Sequence, residues 1–206
     1  MIKIPIYNKC CTTNFKTLFA NLGYAYFTNG MYNLNIIGVR RNGGAVTNKF
    51  DDYLIVIYNT SYGEQRKIYS ITTEPGKYYM QNPMNVKGTA IVAPGQYRGV
   101  FSIGRHKNQY KALVQRKPIK VYRDGNKDLV YDLIPECTDE GMFGINIHRS
   151  NPYIESKQVD KWSAGCQVFA NPNDFKSFMN LCEKQKNLYG DSFTYTLINE
   201  KDLYKV

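Results

Sequence analysis

Short apolar, β-branched runs broken by turns dominate this chain. Residues 35–39 and 53–58 are two such runs, separated by a turn-rich stretch at 41–47, and 67–72 is a third that stops at Glu74-Pro75-Gly76. Residues 78–87, with Pro83 and two asparagines, read as a loop or crossover. The pattern sharpens after Gly88. Residues 89–92 form a strand leading into Ala93-Pro94-Gly95-Gln96, and 97–103, 110–115 and 119–123 follow as further strands. Asp124-Gly125-Asn126 reads as a hairpin turn with 129–134 as the returning strand. Residues 141–148 form a strand that ends on a histidine, 151–161 a long polar loop, and 192–199 a closing strand.

Two segments carry a helical period instead. Over 14–22, Phe15, Leu18, Phe19 and Leu22 fall on one face and Gly23 marks the stop. Asn173 is placed to cap a second helix whose Phe175, Phe178, Met179 and Cys182 share a face, with Gly190 ending it. The pattern predicts a mainly β fold with a few helices, arranged as a sandwich or a partly closed barrel. At 206 residues the chain is long enough for one well-buried core. Its division is read as 81–206 carrying the chemistry and 1–80 contributing strands and a helix of unassigned role, either a subdomain or part of the same sheet.

Composition reinforces the strands: 18 Tyr and 10 Phe stand against a single Trp. A formal net charge of +10 implies an anionic partner or surface. The cations are scattered through Arg40-Arg41, 117–123 and 184–186, without the dense block of a phosphate-gripping tail, so an anionic cell-wall polymer or membrane face fits better than a specific nucleic acid. Five cysteines, at 10, 11, 137, 166 and 182, form an odd set with no C-x-x-C pair, the usage of a reduced protein. No apolar run approaches a membrane span, and the start lacks a signal-peptide pattern. The expectation is a protein made in the cytoplasm, meeting any external substrate after release or as part of a particle.

Candidate chemistry concentrates on His148 and Cys166. The chain has only two histidines, and one of them ends an apolar run upstream of Ser163-Ala164-Gly165-Cys166. A thiol needs a base to become a nucleophile at neutral pH, and imidazole suits that task. A lone cysteine is more often packed in a core, but Gly165 before it permits a close backbone approach and Ser163 adds a polar group. Asn146 and His148 fall on one face of their strand, Ile145 and Ile147 on the other. His106, between Arg105 and Lys107, reads as a surface residue; Cys182 belongs to the helix core; Cys10, Cys11 and Cys137 have no neighbouring base or glycine turn. Neither H-E-x-x-H nor G-x-S-x-G occurs, so no metal, cofactor or serine elbow is expected.

His148 followed at Ser163 by Ser-Ala-Gly-Cys resembles the signature of L,D-transpeptidase catalytic domains, and 93–103, Ala-Pro-Gly-Gln-Tyr-Arg-Gly-Val-Phe-Ser-Ile, looks like a stretched form of that family's upstream motif. The similarity covers roughly 85–170 and is nearest to phage-encoded, endolysin-like members. It implies a β-sandwich-like fold and a thioacyl-enzyme formed on peptidoglycan stem peptides. In that reading Cys166 is the nucleophile and His148 its base, the Arg149 carbonyl orients the imidazole, and the amides of Gly165 and Cys166 form the oxyanion hole. Asn146, Trp162 and Arg149 are expected to contact substrate. The chain departs from the family at Arg149, where Gly or Ser is common, and at Gln167-Val168, where an apolar residue and then Arg are common. Arg149 is expected to restore that positive charge to the pocket. The rival reading is a non-catalytic virion or wall-binding protein retaining the fold, with a nucleic-acid module third.

Overall fold

The structure, a computed structural model, describes residues 6–41 and 43–206. Helices α1 (Ile6–Thr12) and α2 (Phe15–Leu22) come first; the Asn14 side chain accepts the Thr17 N–H at 3.1 Å and Gly23 closes α2. Strands β1 (Asn35–Arg40), β2 (Asp52–Thr60) and β3 (Gly63–Thr72) then run as an antiparallel meander. A short helix α3 (Lys77–Gln81) precedes β4 (Thr89–Val92), β5 (Gly95–His106), β6 (Tyr110–Gln115), β7 (Ile119–Asp124) and β8 (Thr138–Gly141). The chain finishes with β9 (Ile147–Arg149), β10 (Gln167–Phe169), α4 (Pro172–Tyr189), β11 (Phe193–Asn199) and a tight 3-10 turn, Glu200–Tyr204.

Eight strands close into a barrel in the order β1-β11-β5-β6-β9-β10-β3-β2, and β4-β7-β8 form a separate small sheet. The fold is mainly β, as the sequence pattern requires. A boundary near residue 80 has no counterpart in this ring: β1 pairs in parallel with β11 and β3 antiparallel with β10, so the N-terminal strands complete the barrel. One described helix, α4, is long, and none is both long and apolar enough to cross a membrane.

The strand registers divide the side chains between two faces. Ile36, Leu54, Val56, Tyr69, Ile71, Leu113, Ile147, Phe169, Tyr195 and Leu197 form one buried cluster inside the ring, joined by Phe178 and Cys182 of α4. Ile37, Val39, Ile55, Ile57 and Ile198 face outward onto Cys10, Phe15, Leu18 and Phe19 of α1 and α2. β1 is therefore buried on both faces, which is why its sequence is a continuous apolar run rather than an alternating one.

Four expectations fail for identifiable reasons. The segment after Asp124 does not return as a strand: the buried Asp124 carboxylate accepts the Asp132 N–H at 3.0 Å, and β7 takes β8 as its partner. The strand expected over 141–148 is broken at Gly144, in the left-handed region at φ 72. There the Gln115 Oε1 accepts the N–H groups of Phe143 and Ile145, each at 3.0 Å, in place of a neighbouring strand. α4 is capped by Asn171, whose side chain accepts the Asn173 N–H at 2.8 Å, because Pro172 already occupies the first helical position. Part of the loop expected over 78–87 is instead α3. Asn42, within the expected turn at 41–47, and residues 1–5 lie outside the described residues.

Candidate active site

A cleft of about 520 Å³ lies between the outer face of the barrel and the small sheet, and His106, Asn146, His148, Trp162 and Cys166 all line it. Parallel pairing of β9 with β10 sets Val168 opposite His148 and Gln167 opposite Ile147. Ile147 and Gln167 point into the barrel, so Asn146, His148 and Cys166 project outward on one face. Cys166 and His148 thus lie on adjoining chain segments, two residues apart in the parallel register, and both line the cleft. The Cys166 Sγ accepts the Asn146 N–H at 3.4 Å and lies 3.6 Å from the Gly144 carbonyl oxygen.

The imidazole of His148 is fixed by its own neighbour. Nδ1 lies 2.8 Å from the Arg149 carbonyl oxygen, an acceptor only, so Nδ1 carries the proton and Nε2 the lone pair. Tyr110 Oη donates to the same carbonyl at 3.1 Å and holds it in place.

No family model, curated protein or solved structure matches this chain.

The chemistry of the cleft rests on its own geometry, and His106 is the largest departure from the sequence reading. Rather than lying on the surface it is buried, with its ring stacked on that of His148 at 3.9 Å between centroids and 19° between planes. Its strand ends opposite Tyr110, a tight turn through Lys107 and Asn108 follows, and Lys107 lines the cleft beside it. The flanking Arg105 turns away to the carbonyls of Asn108 and Gln109. Asn146 holds His106 in place: its Oδ1 accepts the Gln115 N–H at 3.1 Å, so its Nδ2 donates to His106 Nδ1, also at 3.1 Å. That donor leaves the His106 proton on Nε2.

Burial decides the charge states. It lowers His148 to about 3, assisted by the neighbouring His106, against the opposing hydrogen bond to the Arg149 carbonyl. His106 is lowered to about 4 by burial and by Lys107. The Cys166 thiol is raised by burial, with the Asn146 N–H pulling the other way. At neutral pH the resting pair is therefore neutral imidazole and thiol.

The turn before Cys166 is closed by hydrogen bonds of its own. Ser163 is buried; its hydroxyl donates to the Cys166 carbonyl at 2.8 Å and accepts the Gly165 N–H at 3.1 Å. Gly165 sits at φ 122, and a Cβ there would collide with the Ala90 carbonyl oxygen. Ser163 accordingly shapes the turn, and of the two amides expected to form an oxyanion hole, that of Gly165 is already engaged by the Ser163 hydroxyl.

The Arg149 guanidinium does not enter the cleft. It stacks 4.0 Å from the Tyr110 ring and lines an adjacent depression with Lys111, Phe175 and Glu183. Positive charge in the cleft comes from Lys107, Arg123 and Lys161, of which Arg123 pairs with Asp139 at 3.1 Å and Lys161 lies 4.3 Å over the Tyr78 ring. Asn146 and Trp162 do line it. Sequence reasoning missed His106, Tyr110 and Gln115. The one available signal was that His106 is half of the chain's histidine content.

Proposed function

We propose that this chain is a cysteine acyl-transfer enzyme that acts on peptidoglycan stem peptides through a thioacyl intermediate on Cys166. The observation that carries the reading is the 2.8 Å contact between His148 Nδ1 and the Arg149 carbonyl, which presents a lone pair on Nε2 in the cleft that holds the thiol. As Cys166 Sγ bonds to the acyl carbon, its proton passes to His148 Nε2. The carbonyl oxygen becomes an oxyanion met by the Cys166 N–H. Collapse returns the electron pair to the carbonyl and expels the amine, which takes the proton from His148. Water or a second amine then attacks the thioester, releasing the thiol and giving hydrolysis or transpeptidation.

Lys107, Arg123 and Lys161 around the cleft suit a peptide bearing carboxylates. The net charge of +10 adds a non-specific attraction to an anionic envelope that salt weakens. Incubation with purified peptidoglycan, followed by mass spectrometry of the fragments, tests the reading. The wild type is expected to release or exchange stem peptides and Cys166→Ala to leave them intact. Fragments identical with the two proteins would overturn catalysis and leave a wall-binding protein.

A further inference from the structure

Gln167 stands next to the nucleophile, at the position where the resembled family carries an apolar residue, and it is completely buried. Its register opposite Ile147 sends its side chain into the barrel, while Cys166 projects outward into the cleft. Two hydrogen bonds fix the amide. Gln167 Nε2 donates to the Gly165 carbonyl oxygen at 3.3 Å, and Gln167 Oε1 accepts from Tyr195 Oη at 2.7 Å. The Gly165 carbonyl oxygen can only accept, which fixes the NH2 end of the amide towards Gly165 and leaves the oxygen to accept from the Tyr195 hydroxyl.

Tyr195 reaches Gln167 from the far wall, since β11 and β10 stand opposite each other in the eight-stranded ring. Its ring is fully buried, and room for its hydroxyl is made by Gly38 of β1, where any Cβ would collide with that oxygen. This contact therefore crosses the core and ends at one carbonyl group in the turn before Cys166.

We propose that Tyr195 and Gln167 form a buried brace that sets the peptide plane between Gly165 and Cys166 and so aims the Cys166 N–H at the reacting oxygen. In a trans peptide the C=O and N–H point in opposite directions. Holding the Gly165 carbonyl towards the barrel interior turns the Cys166 N–H towards the cleft. Ser163 restrains the same turn from its other side, by the bonds to the Gly165 N–H and the Cys166 carbonyl. The brace acts through the Cys166 amide, so Gln167 and Tyr195 are positioning residues. Their role rests on the acyl-transfer reading above.

Two reagents separate this role from general support of the fold. p-Nitrophenyl acetate acylates a thiol through a tetrahedral oxyanion and loses p-nitrophenolate. Chloroacetamide alkylates it by displacement of chloride and forms no oxyanion. Rates at Cys166 itself are read by peptide mass spectrometry, because Cys11 and Cys137 are also exposed. In Gln167→Met, acylation of Cys166 is expected to fall by roughly 10-fold or more while alkylation stays within about twofold. Tyr195→Phe, which removes only the hydroxyl, is expected to show the same selectivity to a smaller degree and covers the case in which Gln167→Met does not fold. Equal effects on both reactions, or none on either, in a variant with a wild-type circular dichroism spectrum would overturn the brace and leave the acyl-transfer reading standing. A wild-type Cys166 inert to the ester while Cys11 reacts would overturn that reading, and the brace with it.

Discussion

A thiol and an imidazole lining one cleft can rest as an ion pair or as two neutral groups, and Cys166 and His148 rest as the latter. Burial raises the thiol above its ordinary value of 9.0 and lowers the imidazole to about 3, so neither charge forms at neutral pH without an acyl group to attack. Alkylation of Cys166 by chloroacetamide in the absence of substrate is therefore expected to keep rising with pH beyond 9.0. The sign follows from the thiol: a raised value delays thiolate formation, and the imidazolium that would favour it is absent above pH 3. A plateau between pH 5 and 8, measured by site-resolved mass spectrometry, would contradict this. His148 and Cys166 were legible in the sequence because the chemistry of each residue type, with Gly165 adjacent, narrows what it can do. His106 was not. Charge at a flanking position does not mark a surface residue in a strand, because Arg105 and His106 point to opposite faces of β5 and His106 stacks on His148.

Among the elements, the turn from Ser163 to Cys166 bears most directly on function. Gly165 combines a φ of 122 with a backbone oxygen, that of Ala90, in the space a side chain would need. Gly165→Ala is expected to lower stability by about 1 to 3 kcal/mol. For a chain of this size that shifts the calorimetric melting temperature by roughly 2 to 12 °C, and loss of Cys166 acylation should accompany it. An unchanged melting temperature and acylation rate would remove the turn from the account. Strands such as β1 and β2 were readable because apolar content alone specifies an element buried on both faces. The expected strand over 141–148 misled because the backbone N–H groups of Phe143 and Ile145 donate to a side chain, Gln115, whose role no local pattern reveals. Likewise a Asp-Gly-Asn hairpin signal gave way to the buried Asp124 carboxylate, a tertiary contact.

For the molecule as a whole, barrel closure ties the chemistry to parts of the chain remote in sequence. β10, which immediately follows Cys166, pairs on one side with β3, and β11, which carries Tyr195, pairs with β1. A fragment of residues 81–206 would leave both strands with an unpaired edge and the inner face of the ring open. It is expected to lack a cooperative thermal transition by circular dichroism; native-like cooperative unfolding would show that the N-terminal strands are dispensable. The sequence left that choice open, because pairing between residues as far apart as Thr72 and Val168 or Ile36 and Tyr195 has no local signature. The central claim, that Cys166 accepts an acyl group from a wall peptide, is tested most directly by intact-protein mass spectrometry after incubation with purified stem tetrapeptide. A covalent adduct of the acyl fragment, mapped to Cys166 and removed by hydroxylamine, is the expected result. No adduct on wild-type protein, together with no turnover of the peptide, would contradict it.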